Sequence, residues 1–188
     1  MAIKPILFNT EMVRAILDGR KTVTRRLVKF LSRKNPNWTG YVKNGLMLYN
    51  GRNEPCIKKA PYQPGDILYV RESYSELSFG YVYKADGENI DHLGNVIKWH
   101  PSIHMPKEAA RIWLKVTDVR VQRLQDMDKM DAVKEGIDTR LCISLGHALM
   151  KFKKLWNSTI KKSDLDCYGW DASPWVWVIE FERCEKPE

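Results

Sequence analysis

A lysine and a threonine three residues apart, set among arginines, are the residues of this chain whose types and spacing most directly suggest chemistry. They lie in the segment Gly19-Arg20-Lys21-Thr22-Val23-Thr24-Arg25-Arg26, where four of the chain's 31 basic residues occupy eight positions. One tight turn would bring the amine of Lys21 and the hydroxyl of Thr24 into the same small space. From spacing alone, three interpretations stay open: an anion-binding loop, the centre of a nucleophilic site, and a solvated basic surface.

The nucleophilic interpretation depends on the protonation state of Lys21. A lysine that is partly desolvated and surrounded by cations has a lowered pKa, and its neutral amine then acts as a base. Arg20, Arg25 and Arg26 supply such a field. A neutral Lys21 would take the proton of Thr24, and the positive loop would stabilise the resulting oxyanion. A nearby carboxylate would orient the amine or pass a proton to the leaving group.

The segments around this motif predict a strand-rich fold with few helices. Residues 6–8 indicate a strand, and Asn9 or Thr10 is a suitable N-cap for a short helix that ends at Gly19. The basic motif is therefore expected to leave a helix end as a loop. The other strong predictions are a long strand over 111–124 with a bend near Asp118, an amphipathic helix over 145–156, a central strand over 175–181 and a hairpin around Asn44-Gly45.

Size and composition predict one folded basic domain. The 188 residues carry a net charge of +8, which favours polyanionic partners such as RNA. Turn-rich stretches at about 31–62 and 86–106 are interpreted as insertions in a single domain over 1–188. Four scattered cysteines predict neither a zinc site nor a disulfide framework, and they favour the cytoplasm. No run of 18 apolar residues predicts a membrane span. We expect no cofactor, no metal and no obligate protein partner.

The motif resembles a known superfamily signature. Gly19-x-Lys21-x-x-Thr24-x-Arg26 is similar to the G-x-K-x-x-E-x-R pattern of the ASCH domain superfamily, with Thr24 where glutamate is usual. A threonine there resembles the ASCH branch of N4-acetylcytidine amidohydrolases, which carries G-R-K-T-I-T-x-R. Residues 62–72, 101–126 and 168–183 are similar to phage and prophage ASCH proteins. The resemblance implies a mixed α/β (α+β) fold: a PUA-like β-barrel with peripheral helices and loop insertions.

The resemblance also implies an activity, namely hydrolysis of the acyl group of N4-acetylcytidine or a related modified cytosine nucleoside. Thr24 would be the nucleophile and Lys21 its activator. The family's third catalytic residue is a glutamate on a short helix after the long strand, which corresponds to Glu135 here. From the residues alone, Glu135 could instead be a solvent-facing carboxylate at a helix C-terminus, and Glu72 is the competing carboxylate.

Other residues are candidates for binding the substrate, whether a modified nucleoside or RNA. Arg26 and Arg71 are candidate partners for a phosphate or carbonyl group, and aromatic side chains commonly stack on unpaired bases. The candidates for substrate binding are Arg26, Arg71, Glu72, Tyr74 and Trp170, with Trp99, Tyr168 and Asp171 as weaker ones. Two alternative functions remain: a PUA-like RNA-binding module without turnover, which suits the charge, and a metal-assisted ribonuclease, which would need a carboxylate cluster.

Overall fold

The chain folds around one five-stranded sheet with helices packed beside it. The computed structural model describes residues 1–31, 41–43, 47–50, 52–87, 89–90, 93–140 and 142–187. The strands are β1 Ile3–Leu7, β2 Val23–Leu27, β3 Tyr41–Lys43, β4 Met47–Tyr49, β5 Ile67–Arg71, β6 Tyr74–Leu77, β7 Gly80–Tyr83, β8 Trp113–Arg123 and β9 Trp175–Cys184. The α-helices are α1 Thr10–Leu17, α2 Lys129–Lys134, α3 Leu145–Thr159 and α4 Leu165–Tyr168. The mixed α/β class predicted from the sequence is confirmed.

The order of strands in the main sheet is β1-β5-β8-β9-β2. β1 runs parallel to β5, and the other neighbours are antiparallel. The register of β8 against β9 shifts between Val116 and Asp118, which confirms the predicted bend near Asp118. β9 lies between β8 and β2, as expected for a central strand. β2, which carries Thr24, is the strand at one end of this order.

Alternation along β9 separates two hydrophobic cores. Trp177, Ile179 and Phe181 belong to the core that α1 and β1 cover. Val176 and Val178 belong to the core under α2 and α3, together with Val23 of β2. Because successive strand residues point to opposite faces, each face of β9 is apolar and each is covered. A third, smaller core surrounds Tyr74 and Trp113.

The basic motif differs from its predicted conformation. It was expected to be a loop, yet residues 23–27 form β2, paired with β9 in the register Thr24↔Ile179. The pairing explains the difference, because the strand's alternate residues complete the apolar face under α2 and α3. The hairpin prediction is confirmed in its strands, since β3 pairs with β4, while its turn at residues 44–46 lies outside the described residues.

Candidate functional site

Lys21 is held inside the protein by the way α1 ends. Asn9 caps the helix by accepting from the main-chain N–H of Met12, and Gly19 reverses the chain with φ of 73°. The main-chain N–H groups of Arg20 and Lys21 then both donate to the carbonyl oxygen of Ala15, at 2.9 Å each. This turn points the Lys21 side chain inward, where it has no solvent exposure.

Glu135 lies opposite Lys21 at the end of α2. Asp128 and Asp131 cap the start of this helix, and Glu135 is its C-terminal cap residue. Lys21 and Glu135 form an isolated antiparallel bridge, supported by a 2.9 Å hydrogen bond from the Thr22 N–H to the Lys134 carbonyl. The sequence left a solvent-facing Glu135 open, and that alternative is wrong: the residue is 5% exposed.

Gly136 allows the two segments to approach each other closely. Its φ is 96°, and a Cβ atom there would lie 2.8 Å from the Cβ of Ala15 and 3.0 Å from the Cβ of Lys21. Both distances are shorter than a normal contact between carbon atoms. A glycine at this position therefore permits the packing that sets Glu135 beside Lys21.

Four charged side chains meet here: Lys21, Arg25, Asp131 and Glu135, hereafter the Lys21–Glu135 cluster. Lys21 Nζ donates to Glu135 Oε2 at 2.7 Å, to the Val23 carbonyl at 2.7 Å and to the Glu135 carbonyl at 2.9 Å. Arg25 Nη1 donates to Glu135 Oε1 at 3.1 Å, and Nη2 donates to Asp131 Oδ2 at 2.7 Å. Three acceptors use the three N–H bonds of an ammonium group, so this arrangement is that of a protonated Lys21 and an ionised Glu135.

The surroundings make the Lys21 proton easier to lose than in water. Burial lowers the pKa of Lys21 below its usual value; Glu135 opposes this shift, and the charges of Arg26 and Arg25 add to it. Lys21 Nζ also lies 5.5 Å from the centre of the Phe8 ring, and the Arg26 guanidinium lies 5.4 Å from the same ring. One proton transfer across the 2.7 Å contact with Glu135 would convert the ion pair into an amine and a carboxylic acid.

Thr24 faces a small cavity of about 90 Å³. The cavity lies between β2, the end of α2 and one face of α3, and its lining consists of Met12, Thr24, Arg25, Arg26, Glu135, Phe152, Leu155, Trp156 and Thr159. Thr24 is 1% exposed and is one of the residues that line this cavity. The cavity thus brings together a threonine, a glutamate and two arginines.

A larger cavity of about 320 Å³ lies against the small one and shares Met12, Glu135 and Leu155 with it. The acidic and basic side chains that line it are equal in number. The acidic members are Glu11, Asp18, Glu135 and Asp138, and the basic members are Arg14, Arg20, Arg140 and Lys151. Several are already paired with each other, as in the 2.8 Å contacts Arg20–Asp18 and Arg140–Asp138.

The two arginines predicted to bind substrate lie near each other, at the end of β1. Arg26 lines the small cavity and donates from Nη2 to the Leu7 carbonyl at 3.0 Å. Burial lowers the pKa of Arg26, opposed by the charge of Glu135. Leu7 pairs with Arg71 in the sheet, and Arg71 donates to the Ile103 carbonyl. Arg71 is not part of the small cavity's lining.

Glu72 is buried and belongs to a second cluster, which consists of Glu72, Arg111, Asp86 and Tyr83 and is hereafter the Glu72–Arg111 cluster. Arg111 donates from Nε and Nη2 to the two oxygens of Glu72 at 3.0 and 3.1 Å, and from Nη1 and Nη2 to Asp86 at 2.9 Å each. Its guanidinium covers the Tyr83 ring at 3.9 Å. The structure therefore does not bring Glu72 together with Lys21 and Thr24.

The predicted aromatic residues lie outside the small cavity. Tyr74 is 9% exposed, packs on Tyr81 and His100, and donates its hydroxyl to the His104 carbonyl. Trp170 packs edge-on against Phe152, and it borders a separate depression beside Asn157.

The aromatic residues that do line the small cavity are Phe152 and Trp156 of α3. Both lie within the amphipathic helix that the sequence predicts over 145–156, and both are buried in the structure. The periodicity of apolar residues predicts such a buried face, but it does not reveal which part of that face borders a cavity. Asp131 was also missed, although it precedes Glu135 by four residues, a spacing that places both on one face of a helix.

Neither a metal-ion site nor a membrane-spanning helix is found among the residues that the structure describes. Within those residues, no group of three or more acidic, histidine or cysteine side chains could hold a metal ion. In the same ranges, the structure has no helix that is both long and apolar enough to cross a membrane.

Comparisons with known proteins give only distant likenesses. No family model matches the sequence, and none of the curated proteins does. Among solved structures, the chain is similar to an ASCH domain from Lactobacillus crispatus JV V101, with 12% identity, 97% of this chain and 79% of that chain covered, and a TM-score of 0.44. It is also similar to a protein from Enterococcus faecalis V583, with 11% identity, coverage of 100% and 86%, and a TM-score of 0.41. Likenesses this distant do not assign a family.

Proposed function

We propose that this protein is an amidohydrolase that removes a small acyl group from the exocyclic nitrogen of a modified cytosine nucleoside, with N4-acetylcytidine as the reference substrate. The observation that carries the proposal is the arrangement at the small cavity. The buried Thr24 lines that cavity together with Glu135, and Glu135 is bonded to the buried Lys21 at 2.7 Å. The resemblance of residues 19–26 to the Lys/Thr motif of the ASCH amidohydrolases points to the same residues.

The first half of the reaction forms an acyl-enzyme. The Lys21 ammonium passes a proton to Glu135, and the neutral amine takes the proton of the Thr24 hydroxyl as its oxygen attacks the amide carbon. The tetrahedral intermediate collapses when the bond from carbon to the exocyclic nitrogen breaks. Glu135 gives its proton to that nitrogen, so cytidine leaves with an amino group and the acyl group remains on Thr24 as an ester.

Water completes the second half. A water molecule attacks the ester carbon and loses a proton to the Glu135 carboxylate, while the Lys21 ammonium returns a proton to the Thr24 oxygen as the ester bond breaks. The product is acetic acid, which ionises in solution. Transfer of the Glu135 proton to the Lys21 amine restores the ammonium and carboxylate of the resting site. One water is consumed for each amide bond that is broken.

The sizes of the two cavities suit the two parts of such a substrate. The cavity of about 90 Å³ is well below the usual range of about 300–1,000 Å³ for ligand pockets, so it suits the acyl group better than the whole nucleoside. The adjoining cavity of about 320 Å³ falls at the lower end of the usual range for ligand pockets. Its balanced charges favour an uncharged ligand rich in hydroxyl groups over a phosphate.

Hydrolysis of N4-acetylcytidine by the purified protein tests the proposal, with cytidine and acetate both quantified. We expect turnover in the wild type and a loss of more than about a thousandfold in kcat for Thr24→Ala, because the variant lacks the nucleophile and the hydroxyl of Thr159, which also lines the cavity, is bonded to the Trp156 carbonyl. Thr22→Ala is the matched control, since Thr22 is exposed and should not affect turnover. Absence of cytidine with the folded wild type would overturn the function, and full activity in Thr24→Ala would overturn the mechanism.

The RNA-binding alternative is supported by the net charge of +8 and by exposed lysines at the end of α3 and beyond it, namely Lys154, Lys161 and Lys162. Binding of this kind weakens steeply as salt is added, because counterions are released when phosphates are contacted. Salt-dependent RNA binding that survives Lys21→Ala, together with no turnover of the nucleoside, would favour this alternative over the amidohydrolase.

A further inference from the structure

Arg25 carries a buried hydrogen-bond donor that no described residue satisfies. The side chain has no solvent exposure, and Nη1 and Nη2 are bonded to Glu135 and Asp131. Its Nε–H has no partner among the described residues. An unsatisfied buried donor costs about 1–3 kcal/mol, more for a charged group, and native proteins keep few of them. This donor calls for an acceptor that the described residues do not supply.

The position of Arg25 shows where such an acceptor would be found. Arg25 lines the small cavity together with Thr24 and Glu135. Arg71 and Gln122 also carry a buried donor without a partner among the described residues, yet neither lines this cavity. Among these three residues, Arg25 is therefore the one that lines the same cavity as the proposed nucleophile.

Arg25 is also fixed before any ligand arrives. Two carboxylates at 3.1 and 2.7 Å hold its guanidinium from α2, and its main chain is part of β2. A charged donor that is already oriented stabilises a developing oxyanion without reorganising during the reaction, which is the property of an effective oxyanion hole. Position 25 is one of the unspecified positions in the motif G-x-K-x-x-T-x-R, so the motif assigns no role to it.

We propose that Arg25 contacts the substrate directly, with its Nε–H donating to the carbonyl oxygen of the acyl group and to the oxyanion that replaces it. This inference rests on the proposed amidohydrolase function and adds a residue to it. Arg25 then has two roles: it holds Glu135 through Nη1, and it binds the reacting carbonyl through Nε. A lysine at this position would keep the charge and lose the second donor.

Kinetics of Arg25→Lys separate this role from a structural one. We expect kcat for N4-acetylcytidine to fall by about a hundredfold to a thousandfold, the usual effect of losing one oxyanion donor, with KM changed much less. Arg111→Lys is the matched control, because it alters an arginine that is also bonded to two carboxylates but lies in the Glu72–Arg111 cluster, and its kcat should stay within threefold. A folded Arg25→Lys enzyme with kcat within threefold of wild type would overturn the role of Arg25 while leaving the amidohydrolase intact.

A second measurement does not depend on how well Arg25 variants fold. The Nε–H group of arginine has its own proton–nitrogen NMR signal, and Thr24→Ala protein binds substrate without consuming it. Adding N4-acetylcytidine to Thr24→Ala should move the Arg25 signal downfield and slow its exchange with water. If the compound binds and the signal does not move, the contact does not exist. Failure of the wild type to hydrolyse the compound is a separate result, which overturns the function itself.

Discussion

Glu135 and Glu72 are both buried carboxylates bonded to an arginine, but their surroundings differ. Glu72 accepts two hydrogen bonds from Arg111, and that guanidinium is further bonded to Asp86 and stacked on Tyr83. Glu135 accepts from Lys21 and Arg25, whose side chains have no solvent exposure, and it borders two cavities.

The difference lies in what each cluster leaves unbonded. In the Glu72–Arg111 cluster, Nε and both Nη atoms of the guanidinium have carboxylate acceptors. In the Lys21–Glu135 cluster, the Nε–H of Arg25 has no partner among the described residues, and the neighbouring Thr24 lines a cavity. A buried charged pair by itself therefore does not mark a site of chemistry. Unused donors and a hydroxyl beside a cavity are the more informative feature.

Removing the charge of each carboxylate is the most severe test of this comparison. Glu135→Gln leaves Lys21 and Arg25 buried with too little negative charge, so we expect a loss of about 3–5 kcal/mol in unfolding free energy, as is usual when a buried pair is broken. Its kcat should fall by at least a hundredfold, because an amide does not transfer the proton. Denaturant unfolding and the hydrolysis assay measure the two effects.

Glu72→Gln is the matched variant. We expect it to lower the unfolding free energy by about 1–3 kcal/mol, less than Glu135→Gln because Arg111 is 27% exposed and can be hydrated. The activity of the folded protein should remain within about twofold of wild type. The comparison would fail if Glu72→Gln reduced kcat as much as Glu135→Gln does.

Two glycines test whether close packing holds Glu135 against Lys21. Gly136→Ala forces a Cβ to 2.8 Å from Ala15 and 3.0 Å from Lys21, in addition to the strain of a positive φ. We expect a loss of about 2–4 kcal/mol, combining backbone strain with overpacking. Gly19→Ala has a similar φ of 73° with nothing within 4 Å, so it should lose only about 1–2 kcal/mol.

The difference between the stability losses of the two glycine variants separates the cost of the close contact from the cost of the backbone strain. Thermal or chemical denaturation measures these losses. Gly136→Ala should reduce kcat more than Gly19→Ala does, because only its added Cβ would lie against Lys21. Equal losses of stability in the two variants would mean that the approach of α2 to Lys21 is not tightly packed.

The sequence predicted the elements of this site better than their arrangement. The Asn9 cap, the glycine at the end of α1 and the bend in β8 have local signals, because capping, positive φ and side-chain alternation depend on neighbouring residues. The contact between Lys21 and Glu135 joins residues 114 positions apart and has no such signal. Glu135 was found through the family resemblance, and Tyr74 and Trp170 were chosen on residue type alone.

The small cavity, which we propose holds the acyl group, predicts a change in substrate specificity that is smaller than the effects above. Phe152 lines the small cavity, so Phe152→Leu should enlarge it at a cost of about 1–2 kcal/mol in stability. We expect the ratio of kcat/KM for N4-butyrylcytidine to that for N4-acetylcytidine to rise by about tenfold, the effect of one or two methylene groups in an apolar pocket. Trp170→Leu is the control: Trp170 packs on Phe152 but borders a different depression, and it should leave the ratio unchanged.

A third carboxylate, Asp66, extends the comparison to acid pH with the smallest expected effect. Burial acts to raise its pKa, but hydrogen bonds from Lys4 and from the main-chain N–H groups of Ala2 and Gln63 outweigh it, so the pKa lies below its ordinary value of 3.8. A carboxyl whose pKa is lower in the folded state contributes stability above the unfolded pKa and loses it as the pH falls through the folded value. Urea unfolding between pH 5 and pH 3, at roughly one-unit steps around that ordinary pKa, should therefore show a decline in stability that Asp66→Asn reduces by about 1 kcal/mol or less. Because Lys4 remains 35% exposed, the effect is modest. An unchanged decline in the variant would show that Asp66 is bonded in the structure without contributing to acid stability.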